Sequence, residues 1–64
     1  MKKVRVETAY GIIEMDGLEF EHYVYQGAEC SESDELYAQA RLLNGLTEHL
    51  AFFNENFEYS AEEV

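Results

Sequence analysis

With 64 residues, the chain is near the size at which one hydrophobic core is marginal without staples or association, so it has room for one small domain. Fourteen acids against four bases give a net charge of −10, a surface that repels phosphate and disfavours direct binding to DNA or RNA. A single cysteine, Cys30, excludes an internal disulfide, and 47% apolar residues with nine aromatics argue against disorder.

The chain begins Met1-Lys2-Lys3-Val4-Arg5, basic but with no apolar stretch behind it. No signal peptide is expected, and no apolar run approaches membrane-spanning length. The expectation is a cytoplasmic protein with Cys30 reduced and no membrane partner.

Residues 3–26 predict a β-hairpin. Asp16-Gly17 stands between Ile12-Ile13-Glu14-Met15 and Leu18-Glu19-Phe20-Glu21, and Asp-Gly between apolar runs is a strong two-residue turn signal. That turn would set Met15 against Leu18, Glu14 against Glu19, Ile13 against Phe20 and Tyr10 against Tyr23. One face would hold Met15, Leu18, Ile13, Phe20, His22, Val24 and Ala9, facing inward. The other would hold Glu14, Glu19, Glu21, Ile12, Tyr10, Tyr23, Thr8 and Tyr25. Val4 and Val6 fall on this outer face unless a bulge at Gly11 reverses the parity before it.

Residues 27–31 read as a connection, and 32–58 as one long amphipathic helix. With Leu36 at heptad position a, the a and d positions are Leu36, Gln39, Leu43, Leu46, Leu50, Phe53 and Phe57, a helix period that no strand explains. Ser31 with Asp34, or Ser33 with Asp34 and Glu35, offers a start with acids in the first turn. Asn44-Gly45 is a stop signal that would divide this helix into a helix–turn–helix pair. The apolar phase runs unbroken across it, which favours a continuous helix. Residues 60–64 read as a frayed tail.

The expected fold is therefore α+β: an N-terminal β-hairpin packed on one long C-terminal helix. Such a helix would be about 40 Å long. A globule of this chain length has a radius of gyration of about 11 Å, so the helix would overhang its hairpin. The overhang and the wide apolar arc predict a homodimer through Leu43, Leu46, Leu50, Phe53 and Phe57.

Residues able to carry chemistry are few. His22 reads as a core residue, and His49 as the border of the dimer interface. Cys30, before the expected helix, is opposed by Glu29 and Glu32 as an activated thiol. Glu48-His49 lacks the second histidine of a zinc-protease helix, and no phosphate-binding glycine loop is present. Neither an enzyme, nor a metal site, nor a cofactor is expected.

The outer hairpin face is the more specific feature. Glu14, Asp16, Glu19 and Glu21 would gather at the hairpin tip beside Tyr10, Tyr23 and Tyr25, rings of the kind enriched at interfaces. Glutamates two apart on one strand sit about 6.5–7 Å apart, close to the spacing of successive phosphates. Together with a net −13 beyond residue 5, this suggests a patch that imitates nucleic acid and engages the basic site of a nucleic-acid-handling protein. The alternative is a small structural or regulatory subunit that docks through its helix, with acidity serving solubility. In size, acidity and paucity of catalytic residues the chain is similar to small phage-encoded inhibitors that occupy the nucleic-acid site of host enzymes. The likeness is one of composition, with no motif to align.

Overall fold

The alternation Lys3-Val4-Arg5-Val6-Glu7 makes a half-buried strand, with Val4 and Val6 fully buried and the three charged residues exposed. This strand, β1 (Lys3–Thr8), turns through Ala9 and Tyr10 into β2 (Gly11–Asp16). The turn is held by Thr8, whose hydroxyl donates to the Gly11 carbonyl at 2.7 Å and accepts from the Tyr10 amide at 3.1 Å. In the antiparallel register Val4 faces Met15, Arg5 faces Glu14 and Val6 faces Ile13. The computed structural model describes residues 2–64.

The hairpin therefore turns at Ala9-Tyr10, and Asp16-Gly17 is a helix start. Asp16 is the N-cap of α1 (Gly17–Cys30), its carboxylate accepting the Glu19 amide at 2.8 Å. Aspartate before glycine serves a tight turn and a helix cap equally well, and burial decides between them. Phe20, Val24 and Ala28, four residues apart, are all fully buried as one helical stripe. A strand pairing would have left Val4 and Val6 outside.

The long helix is two helices, α2 (Asp34–Arg41) and α3 (Leu46–Asn56). Ser33 caps α2 by accepting the Leu36 amide at 3.2 Å. Gly45 caps α3 with φ +86° and ψ 165°, a region open essentially to glycine alone. Glu48 reaches back to accept the Asn44 amide at 2.9 Å, and His49 Nδ1 donates to the Gly45 carbonyl at 2.6 Å. The break folds α3 back onto α1, where Phe53 meets Phe20 edge-to-face at 5.5 Å between ring centroids.

The expected frayed tail is a strand. β3 (Ala61–Glu63) pairs antiparallel with β1, Arg5 facing Glu62, which gives a three-stranded sheet of order β2-β1-β3. Asn54 of α3 holds it in place. Its side-chain amide donates to the Ala61 carbonyl at 3.0 Å and its carbonyl accepts the Ala61 amide at 2.8 Å. The fold is a small α+β domain, a three-stranded antiparallel sheet with three helices, measuring 30 × 25 × 16 Å.

This closure changes the position of the residues expected at a dimer interface. Phe53 is buried, and Leu43, Leu46, Leu50 and Phe57 pack against the core of the same chain. No overhanging helix remains to demand a second copy.

Gly45→Ala is expected to cost about 1–3 kcal/mol of unfolding free energy, read by urea denaturation, because alanine must enter a backbone region reserved for glycine. Phe53→Ala is expected to cost about 3–5 kcal/mol, enough to leave a chain of this size largely unfolded.

Candidate functional site

The helical segment concentrates the charge. Between residues 17 and 58 there are nine acids and one base, Arg41, a net of −8. Residues 2–16 carry three bases and three acids and are neutral. Two of the bases there are held by the sheet: Arg5 lies between Glu14 at 3.3 Å and Glu62 at 3.9 Å, and Lys2 reaches Glu63 at 3.9 Å. These exposed pairs add little stability. They do offset much of the sheet's acidity and leave the helices the more acidic part. Arg41 itself stacks over the Tyr37 ring at 5.9 Å.

The seven residues expected to form one recognition patch are dispersed. Glu14 is on β2, paired to Arg5, and Asp16 caps α1. Glu19 is exposed and Glu21 half-buried, both on α1. Two residues apart on a helix, they point about 200° apart around its axis, so the strand spacing that would imitate phosphates is absent. Tyr25 faces α2, its hydroxyl 2.7 Å from that of Tyr37, a bond that raises the Tyr37 pKa.

Tyr10, fully exposed, and Tyr23 border the same depression. With Ile13 and Tyr59 they line a cleft of about 460 Å³ below the hairpin turn. A neighbouring cavity of about 370 Å³ shares Tyr23 and Tyr59 and extends along α1 and α3 to Phe57 and Cys30. The two form one aromatic trough beside the acidic helices. Its floor depends on Gly27, expected in a connection but found inside α1. A β-carbon there would lie 3.1 Å from the Phe57 ring, so glycine lets that ring approach the helix.

Tyr59 and Gly27 are among the lining residues that the sequence does not point to as a partner site, and Phe57, expected at a dimer interface, lines it as well. The available signal was the aromatic pair Phe57 and Tyr59 just past a helix end. A second depression, of about 300 Å³, lies at the α1–α2 turn between Glu29, Glu32, Asp34 and Tyr37.

Groups suited to catalysis are scattered. His22 is exposed on α1, not in the core, because the helical stripe of Phe20 and Val24 turns it outward. His49 is buried and bonded to Gly45, and Cys30 is exposed as the last residue of α1, with the start of α2 at Asp34 beyond it. Among the described residues no group of three or more His, Cys, Asp or Glu side chains could hold a metal ion. None of the helices among those residues is long and apolar enough to cross a membrane. Comparison with protein-family models, curated proteins and solved structures finds no match for this chain.

The Glu19 amide bonded to Asp16 holds that carboxyl below its ordinary value of 3.8. The stability it contributes is present above the unfolded-state value and is lost as pH falls through the lower folded one. Asp16→Asn, which can still cap, is expected to melt near the wild type at neutral pH. It should lack the part of the acid-induced fall in melting temperature that Asp16 causes. Asp16→Ala should melt lower at neutral pH. Thermal melts followed by circular dichroism across the acid range measure all three.

Proposed function

We propose that this is a non-catalytic acidic protein that binds the basic surface of a nucleic-acid-handling protein and blocks the site where nucleic acid would lie. The observation that carries the reading is the segregation of charge, nine acids to one base over the helical segment, with the remaining bases confined to the sheet. A surface of that kind is steered towards surfaces that attract phosphate, and steering raises the association rate. The trough lined by Tyr10, Tyr23 and Tyr59 supplies the adjoining apolar contact that slows dissociation.

In this reading the mimicry lies in the field of the helical half, not in carboxylates at strand spacing. One copy carries both parts of the surface. The protein would act in the cytoplasm, where an exposed, unpaired Cys30 stays reduced. The rival reading, a structural or regulatory subunit docking through an amphipathic helix, has less support, since the apolar sides of α2 and α3 pack into the core.

Protein immobilised as bait should retain basic, nucleic-acid-binding proteins from a lysate and release them when excess duplex DNA or RNA is added. Retention should weaken steeply from about 0.05 M to about 0.5 M salt. The triple change Glu29→Gln, Glu32→Gln and Glu35→Gln is expected to slow association at low salt by about tenfold while the fold is kept. A captured partner that keeps its nucleic acid bound, and holds equally well in high salt, would end this reading.

A further inference from the structure

The two edges of the sheet are built differently. β3 is three residues long and carries Glu62 and Glu63, and short acidic edges discourage further pairing. β2 is six residues long and contains no lysine, arginine or proline. Ile12 is 64% exposed, Ile13 is 43% exposed, and Tyr10 at its head is fully exposed. Among the described residues no strand pairs with this edge: β2 is terminal in the sheet order.

The direction of its free hydrogen-bonding groups follows from β1. The Glu7 amide donates to the Ser60 carbonyl at 2.9 Å, and the Lys3 carbonyl accepts from the Val64 amide at 2.9 Å. Lys3, Arg5 and Glu7 thus turn their backbone groups to β3, and Val4, Val6 and Thr8 turn theirs to β2. On β2, Gly11, Ile13 and Met15 are the bonded partners. Ile12 and Glu14 therefore point both N–H and C=O away from the sheet.

We propose that β2 is the pairing edge of a homodimer, joined antiparallel to β2 of a second copy about a two-fold axis through Ile13. In that register Ile12 exchanges both backbone bonds with Glu14 of the second copy, and Glu14 with its Ile12. Ile13 meets its own counterpart at the close, non-hydrogen-bonded position. A shift of one residue would set outward-facing groups against inward-facing ones. Moving the axis to Glu14 would oppose two glutamates, which is destabilising. Moving it to Ile12 would shorten the overlap and engage the turn.

Charge favours a second copy as the occupant of this edge. The edge strand itself carries Glu14 and Asp16, but Arg5 pairs with Glu14. The register sets Glu14 and Asp16 against Ile12 and Tyr10 of the second copy, so no two acids are opposed, whereas a basic partner is drawn to the helical side. The contact is isologous and closes, since the β3 edges left outermost are the short, acidic ones. The cost is the long-range repulsion of two chains of net charge −10 each, which salt screens. Dimerisation is therefore strengthened by salt, opposite in sign to the binding of a basic partner, so the two proposals fail separately.

Sedimentation equilibrium of the full chain, to high micromolar concentration, tests this at about 0.05 M and about 0.5 M sodium chloride. The expected result is a monomer–dimer equilibrium that tightens with salt. Ile12→Lys places a cation opposite Glu14 of the second copy, and Ile12→Glu places an anion there. At equal salt, the lysine variant should dimerise about tenfold more tightly than the glutamate variant. Circular dichroism melts on both establish that the fold is retained. A chain that stays monomeric at both salts, or a dimer whose affinity is the same for the two variants, overturns the proposal.

Discussion

The contact between Phe20 and Phe53 is the constraint on which the other features depend. The two rings sit on separate helices, both buried, with centroids 5.5 Å apart and planes inclined by 68°. Burying rings of this size is worth about 1.5–3 kcal/mol each, a large share for a domain whose total stability is only a few kcal/mol. To make the contact, the chain must reverse between α1 and α3, and the reversal is completed at Gly45. The same movement stacks Phe57 against Phe53 and brings Tyr23 to 5.9 Å from it. It also carries Asn54 to where it can clasp Ala61. β3 then completes the sheet over Val4 and Val6, so a contact between two helices settles the pairing of the last strand.

Sheet closure also sorts the charge. β1 supplies Arg5 between two strands that each offer a glutamate, and the cross-strand register makes Glu14 and Glu62 its neighbours. Three of the four bases are thereby confined to the sheet region, while among the described residues the acids of the helices take part in no ion pair. One small domain consequently presents two surfaces of different character. The helical half acts at long range and is sensitive to salt. The β2 edge acts only at contact, through backbone groups and isoleucines. The aromatic trough lies where the two adjoin, between the hairpin turn and the ends of α1 and α3.

The sequence by itself determined what depends on composition and local spacing. The α+β class was legible in it, as were the apolar period of Leu43, Leu46, Leu50, Phe53 and Phe57 and the acidic imbalance. Asp16-Gly17 and Asn44-Gly45 were both visible as punctuation, but the meaning of each was ambiguous. An aspartate before glycine can turn a hairpin or cap a helix, and an unbroken apolar phase suits one long helix as well as two that share a core. Both were decided by contacts far along the chain, Phe20 with Phe53 and Val6 with Ala61. The strand at 61–63 gave no local sign, because its hydrogen-bonding partner is β1 and its clasp is a side chain on α3. The placing of Tyr10, Tyr23 and Tyr59 around one depression, and the scattering of Glu14, Asp16, Glu19, Glu21 and Tyr25, likewise followed from tertiary structure alone. The physical reason is that local propensity differs between these alternatives by about 1 kcal/mol or less, while one buried aromatic ring contributes more.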